Sequence, residues 1–267
     1  MMRYLRLFGA FGRFALANEL AFRGNFFLKV LVEVLWLFIL LIFYQTLFSY
    51  TSTIAQWSDA EYLFFVGAYY TLEGLIETLF LENCTEFAEL VRTGALDVYL
   101  LQPCDEQFLI TCRKIDWSTA PKILIGAGIM TWALFKMNWE FNLGQLVAFG
   151  LLFVCGAALA YSFLVILMAT AVWLTRNSSL MELWWLFTTV MRYPRQIYQR
   201  GWASWLGVMF WYLIPVLLVL NVPASVIVTK FYRPENIVLL ILATGVMLVL
   251  SRMYLYRALS SYRSASS

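Results

Sequence analysis

Residues 26–48 read FFLKVLVEVLWLFILLIFYQTLF, an apolar run with only two charged residues, Lys29 and Glu33. A helix needs about 20 mostly apolar residues to cross the hydrocarbon core of a bilayer. This run is long enough to do so, and it starts too late and continues too long to be the apolar core of a cleavable signal peptide. The segment therefore predicts a transmembrane helix.

The composition of the whole chain agrees with a membrane protein. Hydrophobic residues make up 62% of the 267 positions and charged residues 13%, whereas soluble domains are close to half apolar and a quarter charged. A chain of this length buries a core without such an excess, so the surplus is expected to face lipid. The net charge of +3 gives no indication of a nucleic-acid partner.

Six segments are long and apolar enough to span a membrane. They are residues 26–48, 61–81, 117–135, 143–174, 202–220 and 237–256, and the long connection between the second and third is residues 82–116. The sequence thus predicts an all-α, polytopic membrane protein with six transmembrane helices, in which residues 1–267 form a single transmembrane domain.

The distribution of Lys and Arg sets the predicted orientation, because cytoplasmic loops carry an excess of both. With the amino terminus inside, fifteen of the 19 basic residues lie in or beside cytoplasmic stretches. These are Arg3, Arg6, Arg13, Arg23, Arg92, Arg113, Lys114, Lys122, Arg176, Arg192, Arg195, Arg200, Arg252, Arg257 and Arg263. Lys136, Lys230 and Arg233 lie outside, and Lys29 lies within the first span. Both termini are predicted to be cytoplasmic, in a multi-pass protein of the plasma (cytoplasmic) membrane.

Two further stretches are predicted to lie in the membrane interface. Residues 1–25 alternate apolar residues with arginines, which fits an amphipathic helix on the inner leaflet; a bare cluster of topogenic charges is the alternative. Residues 180–190 (LMELWWLFTTV) are too short to span, and a seventh crossing would move the carboxy-terminal arginines outside. We interpret them as an interfacial or half-inserted helix with Trp184 and Trp185 at the headgroups.

Proline residues predict an irregular region near the end of the fifth span. Pro215 lies inside that span and Pro223 follows it, and each is expected to break a helix. Residues 223–234 are predicted to be outside, and re-entry into the membrane is an alternative for them, since irregular backbone is tolerated there when protein covers it.

The sequence contains no recognised catalytic or metal-binding pattern. It has no GxxxxGK[ST] loop and no histidine, so neither the usual ATP site nor a Ser–His pair is available. The cysteines, Cys84, Cys104, Cys112 and Cys155, lack zinc-ligand spacing. No catalytic residue, cofactor or metal site is predicted on this chain.

Charged residues inside the predicted spans are the candidates for function, because they are costly in lipid and mark a pathway or a pairing. Lys29 and Glu33 lie four residues apart in the first span, as do Glu73 and Glu77 in the second, so each pair shares one helix face. Matched depths predict an ion pair of Lys29 with Glu77 or with Glu33. The alternative is that the four side chains line a polar substrate route.

The connection between the second and third spans contains two apolar-faced pieces. Phe87, Leu90 and Val91 fall at helical spacing, and Gly94 is placed to end that helix. The following run, residues 95–101, is apolar apart from one aspartate. A cytoplasmic loop of this kind needs a surface to pack on, which is either a partner protein or the protein's own helices.

The same loop resembles the type-2 permeases of ABC transporters, in particular a six-span permease-component branch. The shared phrase has the form I/V-R-x-G-x-L-D-x-x-L-L-x-P, matched here by Val91, Arg92, Gly94, Leu96, Asp97, Leu100, Leu101 and Pro103. Gln102 departs from it, where a basic residue often precedes the proline. Further similar phrases are Tyr193-Pro194, Ile197-Tyr198, Ile214-Pro215, Pro223-Ala224 and the run from Tyr262 to Ser264.

The resemblance implies a permease subunit of an ABC exporter in the cell inner membrane. A separate ATPase would bind ATP and Mg²⁺, and a second permease, identical or a sister chain, would complete a dimer within membrane lipid. The implied ATPase-coupling residues are Glu86, Phe87, Leu90, Val91, Arg92, Gly94, Leu96 and Asp97. An alternative class is a membrane-embedded enzyme acting on lipid-linked substrates through Glu33, Glu73 or Glu77.

Overall fold

The computed structural model describes residues 2–174, 178–199, 201, 204–229 and 232–262. Its helices are α1 (Met2–Ala21), α2 (Arg23–Tyr50), α3 (Asp59–Ile76), α4 (Glu82–Thr93), α5 (Leu96–Leu100), α6 (Glu106–Cys112), α7 (Ala120–Lys136), α8 (Leu143–Thr170), α9 (Ser178–Met191), α10 (Ser204–Val208), α11 (Leu218–Ile227) and α12 (Pro234–Ser261). A π-helical turn, Glu77–Leu81, joins α3 to α4, and another, Met209–Leu213, follows α10. A 3-10 helix, Arg195–Gln199, follows α9, and strand β1 (Thr53–Ile54) pairs antiparallel with β2 (Trp57–Ser58).

The prediction of an all-α membrane protein is confirmed, since 82% of the structure is helical. In the part of the chain that the structure describes, four helices are long and apolar enough to cross a membrane. These are α2, the continuous helix Asp59–Thr93, α8 and α12. Helix α7 has 17 residues, the lower limit of about 17–25 residues for a spanning helix. The number of six spans stays a prediction.

Contacts between helix termini define two ends of the bundle. At the distal end, the Asp59 carboxylate at the start of α3 lies 2.5 Å from the Lys136 ammonium at the end of α7. At the amino-terminal end, Arg252 of α12 lies 2.7 Å from Asp105, whose backbone N–H donates to the Tyr4 hydroxyl of α1. Helices α2, α3, α7, α8 and α12 run between these two ends.

The predicted interfacial placement of residues 180–190 is wrong. Helix α8 ends beside α12, where Thr170 and Tyr254 share a hydrogen bond, so α9 starts near the amino-terminal end. After α9, the Gln196 side chain accepts a hydrogen bond from Trp57 at the distal end. Trp184 is only 1% exposed and stacks on Phe187. Helix α9 and the 3-10 helix therefore traverse the bundle together, which the sequence run alone was too short to do.

This path also moves two arginines that the sequence analysis counted as cytoplasmic. Arg192 lies against Tyr69 in the middle of α3, and Arg195 lies near the distal end. Both guanidinium groups pack on aromatic rings, which stabilises a cation away from water. Arg176, Arg200, Lys230 and Arg263 lie outside the described residues, as does Trp202. The orientation of the chain in the membrane stays a prediction.

The predicted span 202–220 is broken near its middle, as the position of Pro215 indicated, and residues 202 and 203 lie outside the described part of the chain. The axes of the two helical pieces Ser204–Leu213 and Leu218–Ile227 are bent by 92°, with Pro215 in the break as the sequence predicted. Pro223, in contrast, lies inside α11 and does not end it. Gly207 of α10 packs against the backbone carbonyl of Tyr198, and Thr229 just after α11 lies beside the α7–α8 connection. The chain thus enters the bundle and returns to the distal end, and α11 is buried throughout, as irregular backbone in a membrane requires.

Thiol labelling tests this path. A single cysteine introduced at Gln199 is expected to react with an impermeant maleimide in intact cells as readily as one at Ser52, because both lie at the distal end. A cysteine at Leu101, at the amino-terminal end, is expected to stay unlabelled until the membrane is opened. Protection of the Gln199 cysteine with labelling of the Ser52 cysteine would instead support the interfacial placement of α9.

Helices α3 and α7 approach each other closely because glycine lines both surfaces. A Cβ atom added at Gly67 would lie 2.8 Å from a backbone nitrogen of α7, and one added at Gly126 would lie 2.6 Å from a backbone nitrogen of α3. At Gly74 it would lie 2.9 Å from the Cβ of Lys122. Small residues permit such contact between membrane helices. The contact places the first turn of α7 against the second half of α3.

Candidate functional site

Lys122, in the first turn of α7, is a buried lysine surrounded by three carboxylates. It is 5% exposed, and its ammonium nitrogen lies 3.2 Å from Glu33 of α2. The same nitrogen lies 3.1 Å from Glu73 of α3 and 2.9 Å from Glu77, the first residue of the π-helical turn that follows α3. A buried charge is stable only when it is paired and hydrogen-bonded. This lysine therefore links three helices through its carboxylate partners.

Two tyrosines and an arginine extend this charged cluster. The Tyr69 hydroxyl donates a hydrogen bond to Glu73, and Arg192 donates one to the Tyr69 oxygen over 3.2 Å. The Tyr70 hydroxyl donates to the backbone carbonyl of Glu33 over 2.7 Å. Arg192 thus brings a second positive charge to the side of the cluster away from Lys122. The network joins α9 to α2, α3 and α7.

The π-helical turn at Glu77–Leu81 positions the cluster. π-helical turns inside α-helices are rare and are frequent at functional sites. Here the Thr78 carbonyl accepts a hydrogen bond from the backbone of Asp116 over 2.9 Å, and the hydroxyls of Thr78 and Thr119 lie 2.9 Å apart. These bonds fix the segment that leads into α7. Lys122 is thereby held at the level of Glu77.

The cluster lines one side of a cavity of about 540 Å³ between α2, α3, α7 and α9. Aromatic side chains, including Trp36, Phe43 and Trp185, line much of the remainder. Along α2 the cavity extends from Glu33 to Phe43, about 15 Å of helix. Its volume lies within the range of sites that bind small molecules. It is a charged, aromatic-lined space that is open at the surface of the bundle, because Trp36 is 64% and Trp185 50% exposed.

The predicted partner of the glutamates was wrong. Lys29 contacts neither Glu33 nor Glu77 but lies 3.4 Å from Asp116, half exposed. The prediction compared the depths of charged residues in the first two spans only. It did not consider the third span, in which glycine contacts bring Lys122 against α3. The sequence did hold a signal, because Lys122 lies within the predicted span 117–135 and directly precedes an apolar run.

The predicted coupling residues form α4 and α5 at the amino-terminal end. Gly94, with a φ of 74°, ends α4 as predicted. Glu86 is bound by Arg113 and Lys114. Phe87 and Leu96 are both 0% exposed, so neither is available to a partner. For these two residues the alternative holds, in which the loop packs on the protein's own helices.

Another part of this loop is exposed. Leu101 is 84% exposed and Val98 60% exposed. Arg92 forms an exposed ion pair with Glu89 at 2.6 Å, while Leu90 and Val91 are partly buried. We call Arg92, Val98 and Leu101 the α4–α5 surface. These exposed side chains are the part of the predicted coupling loop that remains accessible to a partner.

Comparison with known proteins identifies one family whose model matches most of the chain. A family model described as ABC-2 family transporter protein matches residues 34–266. No curated protein and no solved structure matches the chain. The matched residues include Lys122, Glu73 and Glu77 of the charged cluster and the entire α4–α5 surface.

Proposed function

The chain belongs to the ABC-2 family of transporter proteins, and from this premise we propose that it is the membrane-spanning permease subunit of an ABC exporter. The family consists of transport proteins rather than enzymes, which disfavours the alternative of an enzyme acting on lipid-linked substrates. It generally works with an ATPase subunit. Because this sequence has no phosphate-binding loop, ATP and Mg²⁺ would bind to that partner.

The observation that carries the proposal is the cavity beside Lys122. Charged side chains inside a membrane protein mark substrate routes or structural pairs, and this cluster combines both features. Its ion pairs hold α2, α3 and α7 together, while the same side chains line a space that extends along α2. A substrate with a polar group would find hydrogen-bonding partners there and aromatic surface beside them.

A second permease would complete the route. Only Leu37 and Tyr44 of α2 are buried, and large apolar side chains such as Trp36 and Phe38 are mostly exposed. Helix α2 forms one wall of the cavity. Pairing of two permeases across this helix would cover its apolar surface and enclose the cavity between the chains. The partner would be a second copy or a sister chain.

The α4–α5 surface is the proposed ATPase contact. Buried apolar anchors usually dominate an interface, with charged rim residues adding less. Changing Val98 and Leu101 together to alanine is therefore expected to reduce co-purification of the ATPase at least tenfold at equal permease expression. The ATPase is identified by mass spectrometry as a chain with a phosphate-binding loop, captured with the wild-type permease from its native membrane.

Two controls separate docking from folding. The double alanine variant of Val238 and Val246, two exposed positions on α12, removes similar apolar area elsewhere and should retain the ATPase. Phe87→Ala should instead lower thermal stability, because a large side chain lost from a core costs about 3–5 kcal/mol. Wild-type recovery of the ATPase with the Val98/Leu101 variant would rule out this docking surface. Absence of any such ATPase from the wild-type preparation would count against the permease function itself.

A further inference from the structure

The distal end of the bundle contains a second cavity, separate from the one beside Lys122. It has a volume of about 330 Å³ and lies between the 3-10 helix, α11, the start of α12 and the β1–β2 hairpin. Two arginines, five side-chain amides, one serine and two tryptophans line it. Among the described residues, no aspartate or glutamate does so.

The two arginines, Arg195 and Arg233, give the cavity an uncompensated positive charge. They lie close enough for their charges to repel each other. In the described ranges, neither forms an ion pair with a carboxylate. Two neighbouring cations are unfavourable without a counter-charge, especially where protein replaces part of the surrounding water. An anion between them would relieve this repulsion.

Hydrogen-bond donors in the cavity also lack acceptors. The Arg195 guanidinium stacks on the Trp211 ring at 3.7 Å, and its backbone N–H donates to Asn221 over 2.8 Å. Nevertheless, Nε of Arg195 and Nε1 of Trp211 are both buried without a partner. Buried donors are nearly always bonded in proteins, so two unpaired donors beside one cavity indicate a missing acceptor.

The surrounding amides fit the same kind of ligand. Gln196 uses its carbonyl oxygen to accept a bond from Trp57 over 3.0 Å, which leaves its amide nitrogen as a donor. Arg195 is fixed in direction by the Trp211 ring and the Asn221 contact. Arginine guanidinium groups bind phosphate oxygens through paired, charge-assisted hydrogen bonds.

We propose that this cavity is a binding site for a phosphate group, with Arg195 and Arg233 as its charged ligands and Trp211 as a further donor. The phosphate belongs either to a soluble phosphate or to the headgroup of a membrane lipid, and both present the same oxygen atoms to these donors. The site lies at the opposite end of the bundle from the proposed ATPase contact. It does not depend on the transport function proposed above.

Binding measurements on the purified full-length chain test the site. In lipid-free detergent at constant ionic strength, calorimetric titration with inorganic phosphate is expected to show one saturable site if the ligand is a soluble phosphate. In phosphatidylcholine nanodiscs, addition of phosphatidylglycerol is expected to raise the melting temperature if the ligand is a lipid headgroup. Arg233→Gln, at an exposed position, should weaken either response at least tenfold. Arg257→Gln, at an exposed arginine of the opposite end, is the matched control and should change neither.

The pattern of responses identifies the source. Phosphate binding in detergent that Arg233→Gln removes supports a soluble ligand. A phosphatidylglycerol effect that the same variant removes, without phosphate binding in detergent, supports a lipid headgroup. If the Arg195→Gln variant folds, it should lose the same response as Arg233→Gln. If it does not fold, the Arg233→Gln variant alone tests the proposal. Absence of both responses in the wild type, or their persistence in Arg233→Gln, would overturn the proposal.

Discussion

Lys122→Met is expected to destabilise the protein by about 3–5 kcal/mol, the cost of removing one partner from a buried ion pair. Methionine preserves most of the side-chain volume, so the effect arises from charge rather than from packing. Without the ammonium group, Glu33, Glu73 and Glu77 face one another inside the bundle without their shared cation. The measurement is the thermal midpoint of the purified protein in detergent, followed by fluorescence-detected size exclusion.

Two further variants test whether the loss of stability arises from the unpaired carboxylates. Lys114→Met removes a partly exposed lysine that pairs with Glu82 and Glu86, and it should change stability by no more than about 1 kcal/mol. Adding Glu77→Gln to Lys122→Met should recover part of the lost stability, because one unpaired carboxylate is neutralised and the two sites are directly coupled. Equal thermal midpoints for Lys122→Met and wild type would show that the cluster does not stabilise the bundle.

Gly126→Leu is expected to disrupt the packing of α3 on α7. Overpacking of a core typically costs about 1–3 kcal/mol, and here the obstacle is backbone of α3, which cannot rotate away as a side chain would. The variant should therefore fall at or above the upper end of that range and aggregate at normal expression. The same contact between α3 and α7 places Lys122 beside the glutamates. Disruption of the contact should therefore also disrupt the charged cluster.

Gly128→Leu provides the matched control. Gly128 lies two residues further along the same helix, and an added Cβ there meets no atom within 4 Å. The gain in intrinsic helix propensity from glycine to leucine is the same at both positions. Gly128→Leu should thus equal or exceed the wild type in stability. If the two leucine variants behaved alike, the close approach of α3 and α7 would not be a determinant of the fold.

The sequence predicted the helices that have long, uninterrupted apolar runs. The extents of α2, α8 and α12 agree with expectation to within a few residues, because length and hydropathy determine them. Helix α9 was misplaced since the positive-inside rule treats each arginine as a residue that must reach cytoplasmic water. Arg192 and Arg195 instead pack on Tyr69 and Trp211. A count of basic residues in loops cannot predict such contacts between distant parts of the chain.

The candidate site was predictable by its residues but not by its geometry. Glu33, Glu73 and Glu77 stand out in the sequence as charges within apolar runs, and the structure brings them together. Their cation comes from a third helix, because glycine contacts between α3 and α7 set a register that spacing within the first two spans does not contain. Phe87 similarly has the pattern of an exposed anchor, yet the fold buries it.

The charged cluster also constrains the order in which the chain is made. The three carboxylates of the cluster, Glu33, Glu73 and Glu77, are synthesised before their cation, because Lys122 follows more than forty residues after Glu77. A charged residue at the centre of a helix raises the cost of insertion by about 2.5–3.5 kcal/mol. During synthesis these three carboxylates therefore lack their shared cation until α7 has left the ribosome, and we expect stable integration of the first two spans to depend on α7.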